Sequence, residues 1–550
     1  MPINQKLLDL LRKGRSAHEN HLIDGLIDGR VSRREFLRHG SVLGLSATTL
    51  AAVTGAAGFE LLSARRAFAA PGGTIRVGQI VPAAVIEPVS VADSGGITVL
   101  SQVAETLVLS GSDLTAQPLL AESWFPNEDG SVWTFKLRPN VKFHSGKVMN
   151  ADDVVATFER LADPENASNA LSALKGVLSK GGTRKVDDLT VEFHLDAPNG
   201  GFPYTVSTDN YNAVILPADY DGDFEKDMNG TGPFKLVSYT PKVGAVFERN
   251  PDYWGDAPLP DRIELHFYDD YQPQILALQA GDLDVMQQVP VLQGIALLHD
   301  PNVTIISTPS SAHQQVHMRT DSAPFADKRV RQAVALCLDR PGLVQGLMQG
   351  KAVIGNDSPF MPAFPATDHS IPQREKDLAK AKELLDAAGG GFEVTLTTEK
   401  YLEIPQYAQL IQAAVREIGI DMKLNIMDQG AYYGEAVPGN SPWLDSVMGI
   451  TDYGHRGVPN VFLQAPLLST GTWNSAHFNN SEYDTLVASY IAALDLEAQK
   501  ETASKIQTLL LDETPIIDAY FYDYLTPTKA GVTGVEPTAM GHLFLQRASL

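Results

Sequence analysis

The chain has 550 residues, 44% of them hydrophobic and 20% charged, with 43 Lys and Arg against 66 Asp and Glu and a single cysteine. That length accommodates several domain-sized units or two large lobes, and the composition excludes disordered, collagenous and coiled-coil chains. A net charge of −23 argues against a nucleic-acid partner, and the lone Cys337 excludes an intramolecular disulfide or a multi-cysteine metal site.

Residues 1–69 differ from the rest. They hold ten basic and six acidic side chains, which leaves a net −27 on residues 70–550. Ser32-Arg33-Arg34-Glu35-Phe36-Leu37-Arg38 precedes a Gly- and Ala-rich apolar run from about Val42 to Phe59, and Ala67-Phe68-Ala69 gives a small–any–small pattern before Ala70. A charged region, an apolar run and a small-residue site are the parts of an export leader. Arg33 and Arg34 ahead of Phe36 and Leu37 resemble the twin-arginine export motif. The resemblance implies passage through the twin-arginine translocon, with cleavage at Ala67 to Ala69 and a mature chain that starts near Ala70. On this reading the leader stands outside the fold. The alternative is a membrane anchor over residues 42–62, which the Gly, Ser and Thr content and Glu60 disfavour. No cysteine follows the apolar run, which excludes a lipid anchor there, so the expected product is a soluble periplasmic protein. Leu7, Leu8, Leu10 and Leu11 predict a short amphipathic helix.

From residue 70 onward strand and helix signals alternate, which predicts an α/β class. Thr74-Ile75-Arg76-Val77-Gly78 reads as a strand, and Ile97, Leu100, Val103, Ala104 and Leu107 recur at helical spacing. Residues 132–137 and 189–195 alternate as half-buried strands. Between them Asn150 is placed to cap a helix whose first turn carries Asp152 and Asp153, where the helix dipole favours acids. Gly281 and Gly389 each close an apolar-periodic run. Residues 392–396, the stripe Tyr407, Leu410, Ile411, Ala414, Val415 and Ile418, and the alternating Ile420, Met422, Leu424 and Ile426 predict a βαβ unit that breaks at Gly419. No internal repeat or low-complexity linker divides the chain.

Enzyme motifs are wanting. His313 and His317 sit four apart on a stretch that alternates like a strand, which reads as surface or hinge residues rather than a metal pair. Gly230-Thr231-Gly232-Pro233 lacks the third glycine of a dinucleotide loop, Gly146-Lys147-Val148 fails as a phosphate loop, and no nucleophile elbow occurs. Cys337 falls at a core position of residues 330–338. The expectation is a protein without catalysis and without a cofactor.

The remaining motifs resemble one family, the extracytoplasmic solute-binding proteins of peptide-type ABC importers, family 5. They are Leu120-Ala121-Glu122-Ser123-Trp124 with residues 128–138 and 141–154, Gly230 to Phe234 with residues 249–255, residues 327–333, and residues 379–385. Their order spans nearly all of residues 75–525. Most are architectural: Asp129-Gly130 is a strand turn, while Tyr253 and Trp254 read as packing residues.

The resemblance implies an α/β, two-lobed clamp of periplasmic-binding-protein type II with an extra subdomain on lobe one. Lobe one would comprise 70–111, 229–309 and 522–550, the extra subdomain 112–228, and lobe two 310–521. It further implies a monomer that delivers a peptide or small-molecule ligand to the permease subunits of an ABC importer. A metal chelate, opine, sugar or haem is the alternative cargo, suggested by His455 and Arg456. An exported cofactor enzyme is a third reading, motivated by the export route alone.

The family's peptide binders pair an aspartate at the position of Asp452 with the ligand's α-ammonium, so Asp452 and Tyr453 are the expected core of the site. The other reading of Asp452 is an exposed turn residue. His455 and Arg456 are additions to the family pattern, and the loop from Glu399 to Glu403 lacks the arginine that holds a dipeptide carboxylate. Lys400 or Arg456 is the candidate substitute. Among the aromatic residues Tyr432, Tyr433, Trp443, Tyr453, Trp473 and Tyr211, the expected contacts are Tyr453 and Trp473, with Tyr211 from lobe one. Ser94 and Gly95 are expected to offer polar contacts from the first loop.

Overall fold

The computed structural model describes residues 5–57, 59 and 72–550; the expected cleavage residues Ala67, Ala69 and Ala70 lie outside them. Three sheets position the site. In the first, seven strands run in the order Val303–Thr308, Tyr524–Lys529, Val285–Met286, Thr74–Ile80, Arg262–Tyr268, Gly244–Arg249 and Phe234–Thr240. Thr74–Ile80 pairs in parallel with Arg262–Tyr268, with Ile75 opposite Ile263 and Val77 opposite Leu265, and all four side chains are buried. Alternation puts them on one face, where they join the core under the helix Ser94–Val103.

The second sheet carries Ala352–Ile354, Tyr520–Tyr522, His313–Met318, Met448–Tyr453, Glu393–Glu399 and Asp421–Met427 in that order, with Ile516–Ile517 also on His313–Met318. The βαβ unit forms as the periodicity requires. Glu393–Glu399 and Asp421–Met427 are parallel neighbours joined by the helix Ile404–Arg416, which ends ahead of Gly419 at φ +96°. The helix buries Tyr407, Ile411 and Val415 against the sheet. The chain passes between the two sheets twice, at residues 308–313 and 522–524.

A third, four-stranded antiparallel sheet, Ala121–Pro126, Val132–Leu137, Thr190–His194 and Thr183–Asp187, carries the helix Ala151–Ala162. Asn150 caps that helix with Asp153 as the reciprocal partner. Trp133, Phe135, Phe158, Phe193 and Phe202 stack in its core. The signature residues Tyr253, Trp254 and Thr231 do more than pack. All three donate to the buried Glu105 carboxylate, at 2.7, 2.8 and 2.8 Å. Burial nevertheless pushes that carboxyl up to about 7.

Two expectations are corrected. His313 and His317 are fully buried in a central strand, not at the surface, and burial pushes each ring down to about 4. The other concerns the leader. Residues 5–57 form the helices Gln5–Leu11, Ala17–Ile27, Arg33–Val42 and Ala47–Ala56, and these share one apolar core with the four-stranded sheet rather than standing outside the fold. Cys337 is buried, its thiol 3.2 Å from the Ala333 carbonyl. Among the described residues no helix is long and apolar enough to cross a membrane.

Candidate functional site

Glu393–Glu399 and Met448–Tyr453 run parallel in the second sheet, with Thr398 beside Ile450. Their carboxyl ends therefore open on the same side, where α/β sheets place ligands. Glu399 and Asp452 come together there. The Glu399 carboxylate is fully buried and accepts three hydrogen bonds, from Gln429 Nε2 at 2.7 Å, Tyr433 hydroxyl at 2.8 Å and the Asp452 amide at 3.1 Å. Asp452 Oδ1 accepts one from the Tyr522 hydroxyl at 2.8 Å. Asp452 itself is half-buried.

Burial first, and then the charge of Glu399, hold the Asp452 carboxyl well above the usual carboxylate range; the Tyr522 bond and the more distant Glu403 modify this. None of these groups is a cation. Glu403, raised by burial, accepts the Leu292 amide at 3.1 Å. Tyr401 stands two residues beyond Glu399, and Tyr522 and Tyr524 flank the crossing that ties this wall to the first sheet. There Gln287 Nε2 donates to the Tyr524 hydroxyl at 2.6 Å and to the Ser94 carbonyl at 3.3 Å. The arrangement is an acidic, tyrosine-lined cluster where the two sheets meet. It carries hydrogen-bonding and electrostatic groups but no nucleophile paired with a base.

The expected residues divide. Ser94 stands at the start of its helix and meets Gln287 through its carbonyl, while the Gly95 carbonyl accepts Gln79 Nε2 at 3.0 Å. Tyr453 follows Asp452 and so points to the opposite face of the strand. It stacks on Trp473 with ring centroids 6.0 Å apart and packs on His313. The structure joins Tyr453 to Trp473 in an aromatic cluster with Tyr432 and Trp443, against which Tyr433, the donor to Glu399, also packs. His455 is buried, accepts the Ser311 amide on Nδ1 at 3.0 Å, and lies 4.0 Å from Asp209 on the other side. Burial and Arg456 push its ring down to about 3. Arg456 turns its guanidinium to the His455 carbonyl at 2.7 Å and to Met540 Sδ at 3.7 Å. Lys400 is exposed, and Tyr211 packs on the core of the first sheet.

Glu399, Glu403, Tyr401, Tyr433, Tyr522, Tyr524 and Gln287 were not singled out as site residues by the sequence. A usable signal existed for the acids: a glutamate closing one parallel strand and an aspartate near the end of its neighbour share the ligand side of a sheet.

Comparison with known proteins agrees with this architecture. A family model described as "Bacterial extracellular solute-binding proteins, family 5 Middle" matches residues 115–454. The chain is 28% identical over 459 residues to Heme-binding protein A of Haemophilus influenzae, a match covering 78% of this chain and 82% of that one. It is 26% identical over 453 residues to Glutathione-binding protein GsiB of Pectobacterium atrosepticum, covering 80% and 86%. The solved structure of HbpA2 from Haemophilus parasuis aligns with a TM-score of 0.74 at 25% identity, over 87% of this chain and 100% of that chain.

Proposed function

The chain belongs to the bacterial extracellular solute-binding proteins of family 5, and from that premise we propose that it captures a peptide or amino-acid-derived solute between its two lobes and hands it to the membrane permease of an ABC importer. The observation that carries this reading is Asp452, held by Tyr522 at the carboxyl end of its strand with Glu399 behind it and no cation among the groups that shift it. A ligand ammonium reverses what burial does to that carboxyl. It favours the ionised form and gains a charge-assisted hydrogen bond in a site sheltered from water.

A solute that touches Asp452 on one side and the Gln287–Tyr524 side on the other favours the closed state by its differential affinity for the two states. The crossings at residues 308–313 and 522–524 would be the hinge. No bond is broken in this role. Export by the twin-arginine route, a periplasmic location without a lipid anchor, and a monomeric state complete the reading.

The test is thermal unfolding with a dipeptide panel and the same peptides N-acetylated. Ligands that bind only the folded chain stabilise it by RT ln(1 + [L]/Kd), about 2.7 kcal/mol at one hundred times Kd. Free-amine peptides should raise Tm and acetylated ones should not. An equal response to both would refute the role of Asp452. A chelate, opine, sugar or haem is the alternative cargo, in line with the similarity to a haem-binding protein; His455 and Arg456, which suggest it, turn to Ser311 and Met540. A haem absorption band in purified protein would favour it over a peptide.

A further inference from the structure

The leader helices rest on a seam between two units of the protein. Toward the four-stranded sheet, Ser41 Oγ accepts the Ala116 amide at 2.9 Å and the Val42 carbonyl accepts Trp124 Nε1 at 3.0 Å, while Arg38 Nε donates to the Asp113 carbonyl. Toward the helices under the second sheet, His39 Nε2 meets the Leu494 carbonyl at 2.8 Å, Lys500 pairs with Glu35 at 2.6 Å, and Arg30 pairs with Glu497. Phe36, Ile23 and Val53 are fully buried, in one cluster with Trp124, Leu494 and Leu496. The unit is also specified locally. Ser16, Ser32 and Ser46 each cap a helix, the first two as capping boxes with Glu19 and Glu35. This combination of an apolar core, directional bonds on both sides and its own caps is a docked unit rather than a passive tail.

We propose that residues 16–57 are an intramolecular docking unit whose receptor is the seam between the four-stranded sheet and the helices Ser481–Ala492 and Leu496–Glu513, and that the docked unit straps those two parts together. While docked it restrains their relative motion, so the uncleaved chain is a stiffer clamp than the chain without it. Docking also covers part of the export motif. Phe36 is fully buried and Leu37 half-buried, whereas Arg34 is exposed. A receptor that grips the whole of Arg33 to Leu37 needs the unit released first.

Two glycines make the test. Gly44 and Gly29 both have positive φ, +87° and +75°. A Cβ on Gly44 would stand 1.9 Å from the Trp124 carbonyl oxygen, whereas one on Gly29 would meet nothing within 4 Å. Gly44→Ala and Gly29→Ala therefore carry the same backbone strain, and only the first strikes the receptor. Hydrogen exchange is followed in the full-length chain for residues 36–50, 113–126 and 493–500. Gly44→Ala should exchange at least about tenfold faster than Gly29→Ala in all three segments, with the strands of the first sheet unchanged. Equal exchange in the two variants would overturn the inference. So would leader amides in the unaltered chain exchanging as an unfolded peptide does. Loss of protection in the leader alone would overturn the strap.

Discussion

Replacing Asp452 by Asn should move ligand affinity and unliganded stability in opposite directions. The amide oxygen can still accept from Tyr522, which sits 2.8 Å from Oδ1, so the local geometry is kept while the charge is removed. Truncating one partner of a buried, hydrogen-bonded charge pair costs about 2–5 kcal/mol of binding. That corresponds to roughly 30-fold to several-thousand-fold weaker affinity for a ligand carrying an ammonium.

Stability goes the other way. Burial and Glu399 hold this carboxyl above its unfolded value. The folded chain therefore retains its proton more strongly, and its contribution to stability declines as pH rises above the usual carboxylate range. The Asn variant lacks that decline, so without ligand its Tm should exceed that of the parent at pH 7.5, and the difference should shrink toward pH 4. Calorimetry reads both effects, by titration with a free-amine dipeptide and by thermal scans across pH. Unchanged affinity, or an unliganded variant less stable at pH 7.5 than at pH 4 relative to the parent, would refute the reasoning.

Glu105, raised from 4.5 to about 7, penalises folding as pH rises through that window, by about 3 kcal/mol in full. The stability difference between parent and Glu105→Gln should shift against the parent by that order between pH 4.5 and 7.5 in urea titrations; comparing the two cancels the buried histidines, which run in the opposite sense. Tyr433→Phe removes one of the three donors to buried Glu399 and should cost about 1–3 kcal/mol of stability in the same assay. The Cys337 thiol is buried and pushed up to about 12. Iodoacetamide at pH 8 should leave it unmodified in the native protein and add one equivalent in denaturant, as read by mass.

The fold was legible wherever a local period or turn chemistry sufficed. Val394, Leu396, the stripe from Tyr407 to Val415 and Gly419 specify the βαβ unit by themselves, and Asn150 with Asp153 marks the start of the helix Ala151–Ala162 on the four-stranded sheet. Of the candidate site, Asp452 was legible through a family motif and Ser94 through its place in the first loop. Glu399 closes its strand and Glu403 follows in the next loop, and their place at the site depends on a pairing between strands about fifty residues apart. Strand parity also separates Asp452 from Tyr453, which local sequence had grouped as one contact. The packing of residues 5–57 on the fold was not legible for the same physical reason: nothing local shows that the Val42 carbonyl meets Trp124 or that Glu35 meets Lys500, 465 residues further along.

Native mass spectrometry of the protein recovered from the cells that make it, compared with the Asp452→Asn variant handled identically, tests the central claim most directly. The parent should carry one small amine-bearing adduct per chain, identifiable by its mass and by reaction with an amine-specific reagent once released, and the variant should carry little or none. An adduct retained equally by both proteins, or one without an amine, would contradict an ammonium-binding cleft built on Asp452.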